Sequence, residues 1–194
     1  MRRIVVSMWT TLDGYVAGPQ DEMDWLALDE RMQDYETALV NDADALLLGR
    51  ITHQDFANAW PRIAQDDSEA PATRAYAQRV DDMPKIVASR SGKTAKWDNT
   101  TRVESLDKDA MTRLRRDGDG DVVIYGSLAV VAALQAIDMI DEYHLLVHPT
   151  AIGEGKALFP PDQSPIRLQL RSAEPLPSGV ALMRYIPAVE TAAS

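Results

Sequence analysis

Short runs of apolar residues recur along the chain and predict the strands of a sheet. As far as residue 148 these runs lie at residues 4–6, 45–48, 86–88, 122–125 and 142–147. The run at residues 122–125 does not alternate with polar positions, which is typical of a parallel strand covered on both faces. Two later runs, at residues 166–171 and 180–186, flank Pro177-Ser178-Gly179 and predict a closing antiparallel pair.

Apolar residues at helical spacing lie between these runs and predict the helices. The clearest set predicts a helix over about residues 29–40. After the second run, Thr52 is expected to cap a short helix that Pro61 ends. Further helices are expected at about residues 73–80 and 107–116 and after Gly126-Ser127, and loops at residues 10–25 and 62–72.

The order of these elements predicts the fold class. Strands and helices alternate to about residue 148, and strands dominate afterwards. This order indicates an α/β fold with a central, mostly parallel sheet flanked by helices and with an antiparallel edge at its C-terminal end. At 194 residues the chain is expected to form one domain over residues 1–187, followed by a flexible tail at residues 188–194.

Charge and composition narrow the classes of function. Thirty acidic against twenty basic residues give a formal charge of −10, which disfavours general binding to nucleic acid or to an anionic membrane. An anionic ligand must therefore bind in a local pocket. The absence of cysteine excludes disulfides, cysteine nucleophiles and zinc–thiolate sites, and fits the cytoplasm, where we expect the protein. The longest apolar run, residues 128–134, is far shorter than the ~20 residues that span a bilayer.

Two glycine-rich stretches resemble ligand-binding loops but lack required residues. Residues 117–121 would need a glycine next and a glutamate six positions further on to form a calcium loop, and Val122 and Leu128 hold those positions. Residues 153–156 lack the first glycine and the metal-binding hydroxyl of a P-loop. The three histidines have no metal-ligand spacing, so no metal site is expected.

Glycine, hydroxyl and arginine residues follow three of the predicted strands. The residues are Gly49-Arg50, Ser89-Arg90 and Gly126-Ser127. In an open α/β sheet, ligands bind outside the carboxyl ends of the strands, where glycine admits a phosphate and a helix start offers free N–H groups. Two arginines suit a ligand with several phosphates, such as NADPH. Taken singly, each residue is better explained by a strand end, a surface ion pair or a turn; their joint placement reverses this preference and favours a ligand site.

In this order the motifs resemble those of the dihydrofolate reductase-like superfamily, specifically the group with the C-terminal reductase domain of riboflavin biosynthesis (RibD). The resemblance covers about residues 3–185, and only the combination of motifs is specific. The motifs are Thr11-Leu12-Asp13-Gly14-Tyr15-Val16-Ala17-Gly18, Leu48-Gly49-Arg50-Ile51-Thr52, Phe56 with Trp60-Pro61, Lys85-Ile86-Val87-Ala88-Ser89-Arg90, Tyr125-Gly126-Ser127, Ile140-Asp141-Glu142, Pro149 and Ile152-Gly153-Glu154-Gly155-Lys156.

The resemblance implies a reductase with NADPH in a cleft of the sheet. By similarity, the diphosphate of the cofactor would be bound by Gly49, Arg50 and Thr52, and the adenosine 2′-phosphate by Ser89 and Arg90. The turn beside the nicotinamide would be formed by Ile124, Gly126, Ser127 and Leu128. The loop that closes over the nicotinamide would contain Thr11 and Gly18. A 2′-phosphate site would favour NADPH over NADH. Related proteins often form dimers, so a homodimer is expected.

The substrate side departs from the relatives. Riboflavin-pathway reductases carry an acidic residue just before the glycine turn, where this chain has Tyr125. Dihydrofolate reductase places a carboxylate on the helix after a tryptophan; here Trp25 is followed by Asp29 and Glu30, which either orient a substrate or stabilise the helix start. The expected activity is hydride transfer from NADPH to a C=N or C=O carbon of a small heterocycle such as a pyrimidine or pterin. The alternative is a non-catalytic nucleotide-binding protein that kept the fold.

Overall fold

The computed structural model describes residues 1–188, which form ten strands and five helices. In chain order the strands are β1 (Ile4–Thr11), β2 (Tyr15–Ala17), β3 (Ala43–Gly49), β4 (Lys85–Ala88), β5 (Thr100–Val103), β6 (Asp121–Tyr125), β7 (Glu142–His148), β8 (Lys156–Ala157), β9 (Leu168–Pro175) and β10 (Ala181–Pro187). The helices are α1 (Glu30–Asp42), α2 (Arg50–Ala64), α3 (Pro71–Asp82), α4 (Lys108–Arg116) and α5 (Leu128–Gln135). Every predicted strand and helix is therefore present, with shifted bounds.

Eight of the strands form one sheet, in the order β5-β4-β3-β6-β1-β7-β10-β9. The first six run parallel, whereas β10 pairs antiparallel with both β7 and β9. This confirms the predicted α/β fold with a mostly parallel sheet and an antiparallel C-terminal edge. Because β4, β3, β6 and β1 are neighbours, their carboxyl ends lie in a row.

Two apolar cores cover the two faces of the central strands. On one face, Met111 of α4 and Leu134 of α5 pack in the same core as Ile124. On the other face, Val40 of α1 and Val80 of α3 are completely buried. Strands covered on both faces need apolar residues at successive positions, which explains the lack of polar alternation in their sequences.

The helix α2 differs from the prediction at both ends. It begins directly after Gly49, its N-cap residue, and no side chain caps it among the described residues, so the predicted cap at Thr52 is wrong. Pro61 lies inside the helix rather than at its end. Proline removes one backbone hydrogen bond, but Trp60 packs edge-on against Tyr76 of α3, with 5.2 Å between ring centroids, and stabilises this last part of α2.

Three short strands, β2, β5 and β8, were outside the prediction. β5 is a largely exposed edge strand beside β4. β2 lies within residues 10–25, which the sequence analysis assigns to a loop, and pairs with the two-residue β8. These backbones are so close that a Cβ on Gly155 would overlap the carbonyl oxygen of Ala17, and the φ of +154° at Gly155 also favours glycine.

The C-terminal end of the sheet closes at β10. Ala188, just beyond it, donates its backbone N–H to the carbonyl oxygen of Arg167. The rest of the predicted tail, residues 189–194, lies outside the described residues. In residues 1–188, no helix has both the length and the apolar character needed to cross a membrane.

Candidate functional site

Two helix N-termini meet at the carboxyl ends of β3 and β6. α2 starts after Gly49 and α5 after Ser127, and within residues 1–188 no side chain caps either start. The two turns are in close contact, because a Cβ on Gly49 would overlap Ser127 Oγ. A Cβ on Gly126 would lie 3.3 Å from Thr52 Cγ2. Free N–H groups and helix dipoles therefore converge here, in an arrangement suited to a phosphate.

The turn after β6 has an unusual backbone. Gly126 and Ser127 both adopt left-handed conformations, with φ of +60° and +63°. For a serine this costs about 1–3 kcal/mol and persists only where the surroundings determine the backbone. Here the carbonyl oxygen of Ser127 accepts the N–H groups of Val130 and Val131, which begin α5, and Gly49 leaves the necessary space.

Two exposed arginines flank this junction. Arg50 is the first residue of α2, and Arg90 follows Ser89 in the loop after β4, the neighbour of β3. Neither side chain forms a hydrogen bond or an ion pair with another residue of the described chain. A guanidinium without a protein partner is available to a phosphate.

The loop that carries Arg90 is shaped by Ser89. The Ser89 side chain is buried, and its hydroxyl donates to the carbonyl oxygen of Lys93 at 3.2 Å. Arg102 of β5 donates from Nη1 to the Ser89 carbonyl oxygen at 3.0 Å and forms an ion pair with Glu104. Sequence reasoning missed Arg102 because β5 carries no apolar run that would place it beside β4.

Thr11 lies at the end of β1, where its side chain holds a loop together. Its hydroxyl donates to Asp13 Oδ1 at 2.6 Å and accepts the backbone N–H of Tyr15. Asp13 also accepts the N–H groups of Ile152 and Gly153. Hydrogen bonds from Thr11 and from Gly153 hold the pKa of Asp13 below its ordinary value. Thr11 therefore orders the loop that was predicted to close over the nicotinamide.

Three further predicted cofactor residues contribute mainly through the backbone. Gly18 donates its N–H to the carbonyl oxygen of Glu22, whose side chain a Cβ on Gly18 would overlap. Ile124 is completely buried in the core, and Leu128, the first residue of α5, packs against that core. At these positions only backbone groups and a partly exposed Leu128 can face a ligand; the cofactor role of the predicted set stays a prediction.

The two carboxylates predicted to orient a substrate lie at the start of α1. Asp29 is the N-cap residue: Oδ1 accepts the N–H of Met32 at 2.8 Å and Oδ2 accepts the N–H of Ser178 at 2.7 Å. Burial acts to raise the pKa of Asp29, but hydrogen bonds from Ser178 and Met32 lower it overall. Glu30 is exposed and has no hydrogen-bond partner in residues 1–188. Asp29 is thus a helix cap, and a substrate role for either residue stays a prediction.

A different carboxyl group, Glu36 of α1, is buried beside the Gly126 turn. Its side chain accepts Trp9 Nε1–H at Oε1 (2.8 Å) and Tyr125 Oη–H at Oε2 (2.6 Å). Burial raises the pKa of Glu36. Sequence reasoning missed this residue, although a signal existed: Glu36 follows Met32 by four positions and so lies on the apolar face of the helix.

Aromatic rings pack around the same turn. Phe56 of α2 lies four residues after Thr52 and so on the same helix face. Its ring centroid is 5.7 Å from that of Trp60 and 6.3 Å from that of Tyr125. Trp60 and Phe56 are only partly buried. An aromatic surface therefore adjoins the junction of α2 and α5 and could exclude water from a bound ligand.

A cavity of about 780 Å³ lies at the opposite end of the sheet, where β7 begins and β10 ends. It is lined by residues that include Asp138, Tyr143, Arg167 and Leu168, and by none of the predicted cofactor residues. We take the strand-end junction as the functional site, because two uncapped helix starts and two exposed arginines without a partner in residues 1–188 coincide there. In residues 1–188 no group of three His, Asp or Glu side chains is placed to hold a metal ion.

Comparison with known proteins gives a consistent set of relatives. Residues 2–182 match the family described as the RibD C-terminal domain. The uncharacterized protein YyaP of Bacillus subtilis (strain 168) is 28% identical over 188 residues, which cover 95% of this chain and 94% of YyaP.

Two solved structures share the fold. A protein of Shewanella sp. PV-4 ascribed to riboflavin biosynthesis has a TM-score of 0.69 and 20% identity, over 96% of this chain and 99% of that one. The diaminohydroxyphosphoribosylaminopyrimidine deaminase/5-amino-6-(5-phosphoribosylamino)uracil reductase of Thermotoga maritima has a TM-score of 0.64 and 16% identity, over 96% of this chain and 57% of that one. At such identities the likeness concerns the fold.

Proposed function

The chain belongs to the RibD C-terminal domain family, and from that membership we propose that it is an NADPH-dependent reductase of a small heterocyclic compound. The observation that carries the proposal is the junction of α2 and α5, where Gly49 and Ser127 touch and Thr52 lies against Gly126. The Thermotoga relative, which bears the name of a uracil reductase, supports a pyrimidine-type substrate.

The residues at the junction fit a dinucleotide phosphate. The two helix starts have N–H groups to donate to a diphosphate, and Gly49 lets the Ser127 turn lie directly against the start of α2. Arg50 would neutralise the diphosphate from the first turn of α2. Arg90, on the loop that Ser89 shapes, would pair with the 2′-phosphate and so select NADPH over NADH.

The protein's part in the reaction is alignment. NADPH, when bound, supplies a hydride to an electrophilic carbon of the substrate. The junction would fix one end of the cofactor, and the loop tied by Thr11 and Asp13 would cover its nicotinamide end. The partly buried rings of Phe56 and Trp60 would keep water from the reacting carbon. Bound water suffices as the proton source for the neighbouring heteroatom.

A second candidate is a nucleotide-binding protein without catalytic activity. It is favoured by Tyr125, which stands where riboflavin-pathway reductases carry an acidic residue. Loss of NADPH absorbance in the presence of a panel of pyrimidines and dihydropterins distinguishes the two: turnover of any member supports the reductase, and tight binding without turnover of any member supports the binding protein.

We also propose that the protein acts as a homodimer in the cytoplasm. The absence of cysteine is compatible with that compartment, and β9 is a largely exposed strand at the edge of the sheet that a second copy could cover. Light scattering coupled to gel filtration measures the mass directly. A monomeric mass at micromolar concentration would contradict the proposed dimer.

A further inference from the structure

Within residues 1–188, the buried carboxyl group of Glu36 has no positively charged partner. Its side chain is 7% exposed, and its two hydrogen-bond partners are the uncharged side chains of Trp9 and Tyr125. No ion pair involves Glu36 within residues 1–188. An ionised carboxylate buried without a positive partner is strongly disfavoured, so the group gains a proton instead. The pKa of Glu36, raised by burial, agrees with this.

The two partners show where the proton resides. An indole N–H can only donate, so Oε1, which faces Trp9, is the acceptor oxygen. When the carboxyl group is protonated, its proton lies on Oε2 and is donated to Tyr125 Oη across the 2.6 Å contact. In the ionised form Oε2 accepts the Tyr125 hydroxyl instead. A phenol hydroxyl both donates and accepts, so the Tyr125 hydroxyl can accept a hydrogen bond from the protonated carboxyl group.

Glu36 reaches two neighbouring strands from one helix. Trp9 belongs to β1 and Tyr125 is the last residue of β6, and these strands are adjacent and parallel. Tyr125 directly precedes Gly126, which lies against Thr52. The Phe56 ring lies 6.3 Å from that of Tyr125 and 5.7 Å from that of Trp60. These three rings and that of Trp9 are here called the aromatic floor. Through Tyr125 the floor joins the Gly126 turn, beside which the nicotinamide is proposed to bind.

We propose that Glu36 is the positioning residue of the substrate side: as a neutral acid it fixes the rings of Trp9 and Tyr125, and so orients the aromatic floor on which a planar heterocycle would stack. This inference rests on the proposed function, because the substrate must lie beside the nicotinamide. The acidic residue of the site is then Glu36 on α1, which acts through Tyr125. It does not lie at position 125 itself, at the end of β6.

Infrared spectroscopy tests the inference, because a protonated carboxylic acid has a C=O stretching band well separated from that of a carboxylate. We expect the wild type at pH 7 to show this band, Glu36→Gln to lack it, and saturating NADPH to shift it through the Gly126 turn. The shift should be altered or lost in Tyr125→Phe. It should persist in Tyr143→Phe, a matched control, because Tyr143 is buried in the core on the other face of the sheet.

The outcomes separate the two proposals. Absence of the band in the wild type, or a band that saturating NADPH does not move, overturns the role of Glu36 while leaving the reductase proposal intact. If tryptophan emission shows that NADPH does not bind at all, the reductase proposal fails, and the role of Glu36 fails with it. If Glu36→Gln does not fold, ¹³C-labelled glutamate in the wild type identifies the band by its isotope shift.

Discussion

The proposed cofactor side and the proposed substrate side of the site are built by different means. At the cofactor side, backbone groups at the Gly49 and Gly126 turns converge. The exposed side chains of Arg50 and Arg90 have no partner within residues 1–188 and are available to a ligand. At the substrate side, buried side chains from α1, β1 and β6 fix one another through Glu36. The shape of the first region depends on glycines that leave room for a close backbone approach. The shape of the second depends on hydrogen bonds between side chains. The two regions should therefore respond differently to substitution.

The largest effect is expected for Gly49→Ala. The new Cβ would overlap Ser127 Oγ and push the start of α5 away, and we expect NADPH affinity to fall by about 100-fold, which corresponds to ~2.7 kcal/mol. Isothermal titration measures it. The double variant Gly49→Ala/Ser127→Ala removes the overlapping oxygen and should recover most of the affinity. Equal loss in the single and double variants would show that contact between these turns is not what shapes the site.

A stability effect with a distinctive pH dependence is expected at Glu36. Its pKa is raised in the folded protein, so above the ordinary value of about 4.3 the unfolded chain releases a proton that the folded chain keeps. The unfolded state then binds fewer protons, and the free energy of unfolding falls as pH rises. Urea unfolding from about pH 4 to pH 8 should show the wild type losing stability relative to Glu36→Gln. Parallel curves for the two proteins would show that Glu36 is ionised in the fold.

A cofactor-specific effect is expected for Arg90→Ala. Removing one guanidinium–phosphate contact should weaken NADPH binding about tenfold, or ~1.4 kcal/mol, and leave NADH binding unchanged. Arg171→Ala is a matched control, because Arg171 is an exposed arginine on β9 at the far edge of the sheet. Equal weakening of both nucleotides by Arg90→Ala would contradict the assignment of the 2′-phosphate to this loop.

The smallest effect is expected at the start of α1. Asp29→Ala removes a cap that binds Met32 and Ser178 and should lower the free energy of unfolding by about 1 kcal/mol, as chemical denaturation would show. Asparagine caps a helix well, so Asp29→Asn should fold normally. This variant therefore tests the negative charge of Asp29 separately from its role as a helix cap. Once a substrate is known, full activity in both Asp29→Asn and Glu30→Gln would exclude these carboxylates from orienting it.

The same contrast explains what the sequence could predict. Apolar runs such as residues 122–125 are visible because a parallel strand is buried on both faces, so the strands and the mostly parallel sheet could be predicted from the pattern. The glycine turns and the arginines at strand ends lie within short sequence motifs. A resemblance to known motifs can therefore identify Gly49, Arg50 and Gly126 as candidate site residues.

The substrate side could not be predicted in the same way. Glu36 becomes significant only when α1 packs across β1 and β6, since its partners Trp9 and Tyr125 lie 27 and 89 residues away. The predicted cap at Thr52 failed for a related reason: the helix starts two residues earlier, and contact with Gly126, a distant residue, occupies the Thr52 side chain.

The most direct measurement is a titration of the purified protein with NADPH and with NADH, followed by quenching of tryptophan emission. Trp60 packs against Phe56 and Trp9 is hydrogen-bonded to Glu36, and both tryptophans belong to the aromatic floor, which is proposed to lie next to the cofactor. Bound cofactor should therefore quench tryptophan emission. The account predicts saturable quenching by NADPH at concentrations about tenfold or more below those needed for NADH, because only NADPH carries the 2′-phosphate. No saturable quenching by either nucleotide would contradict it.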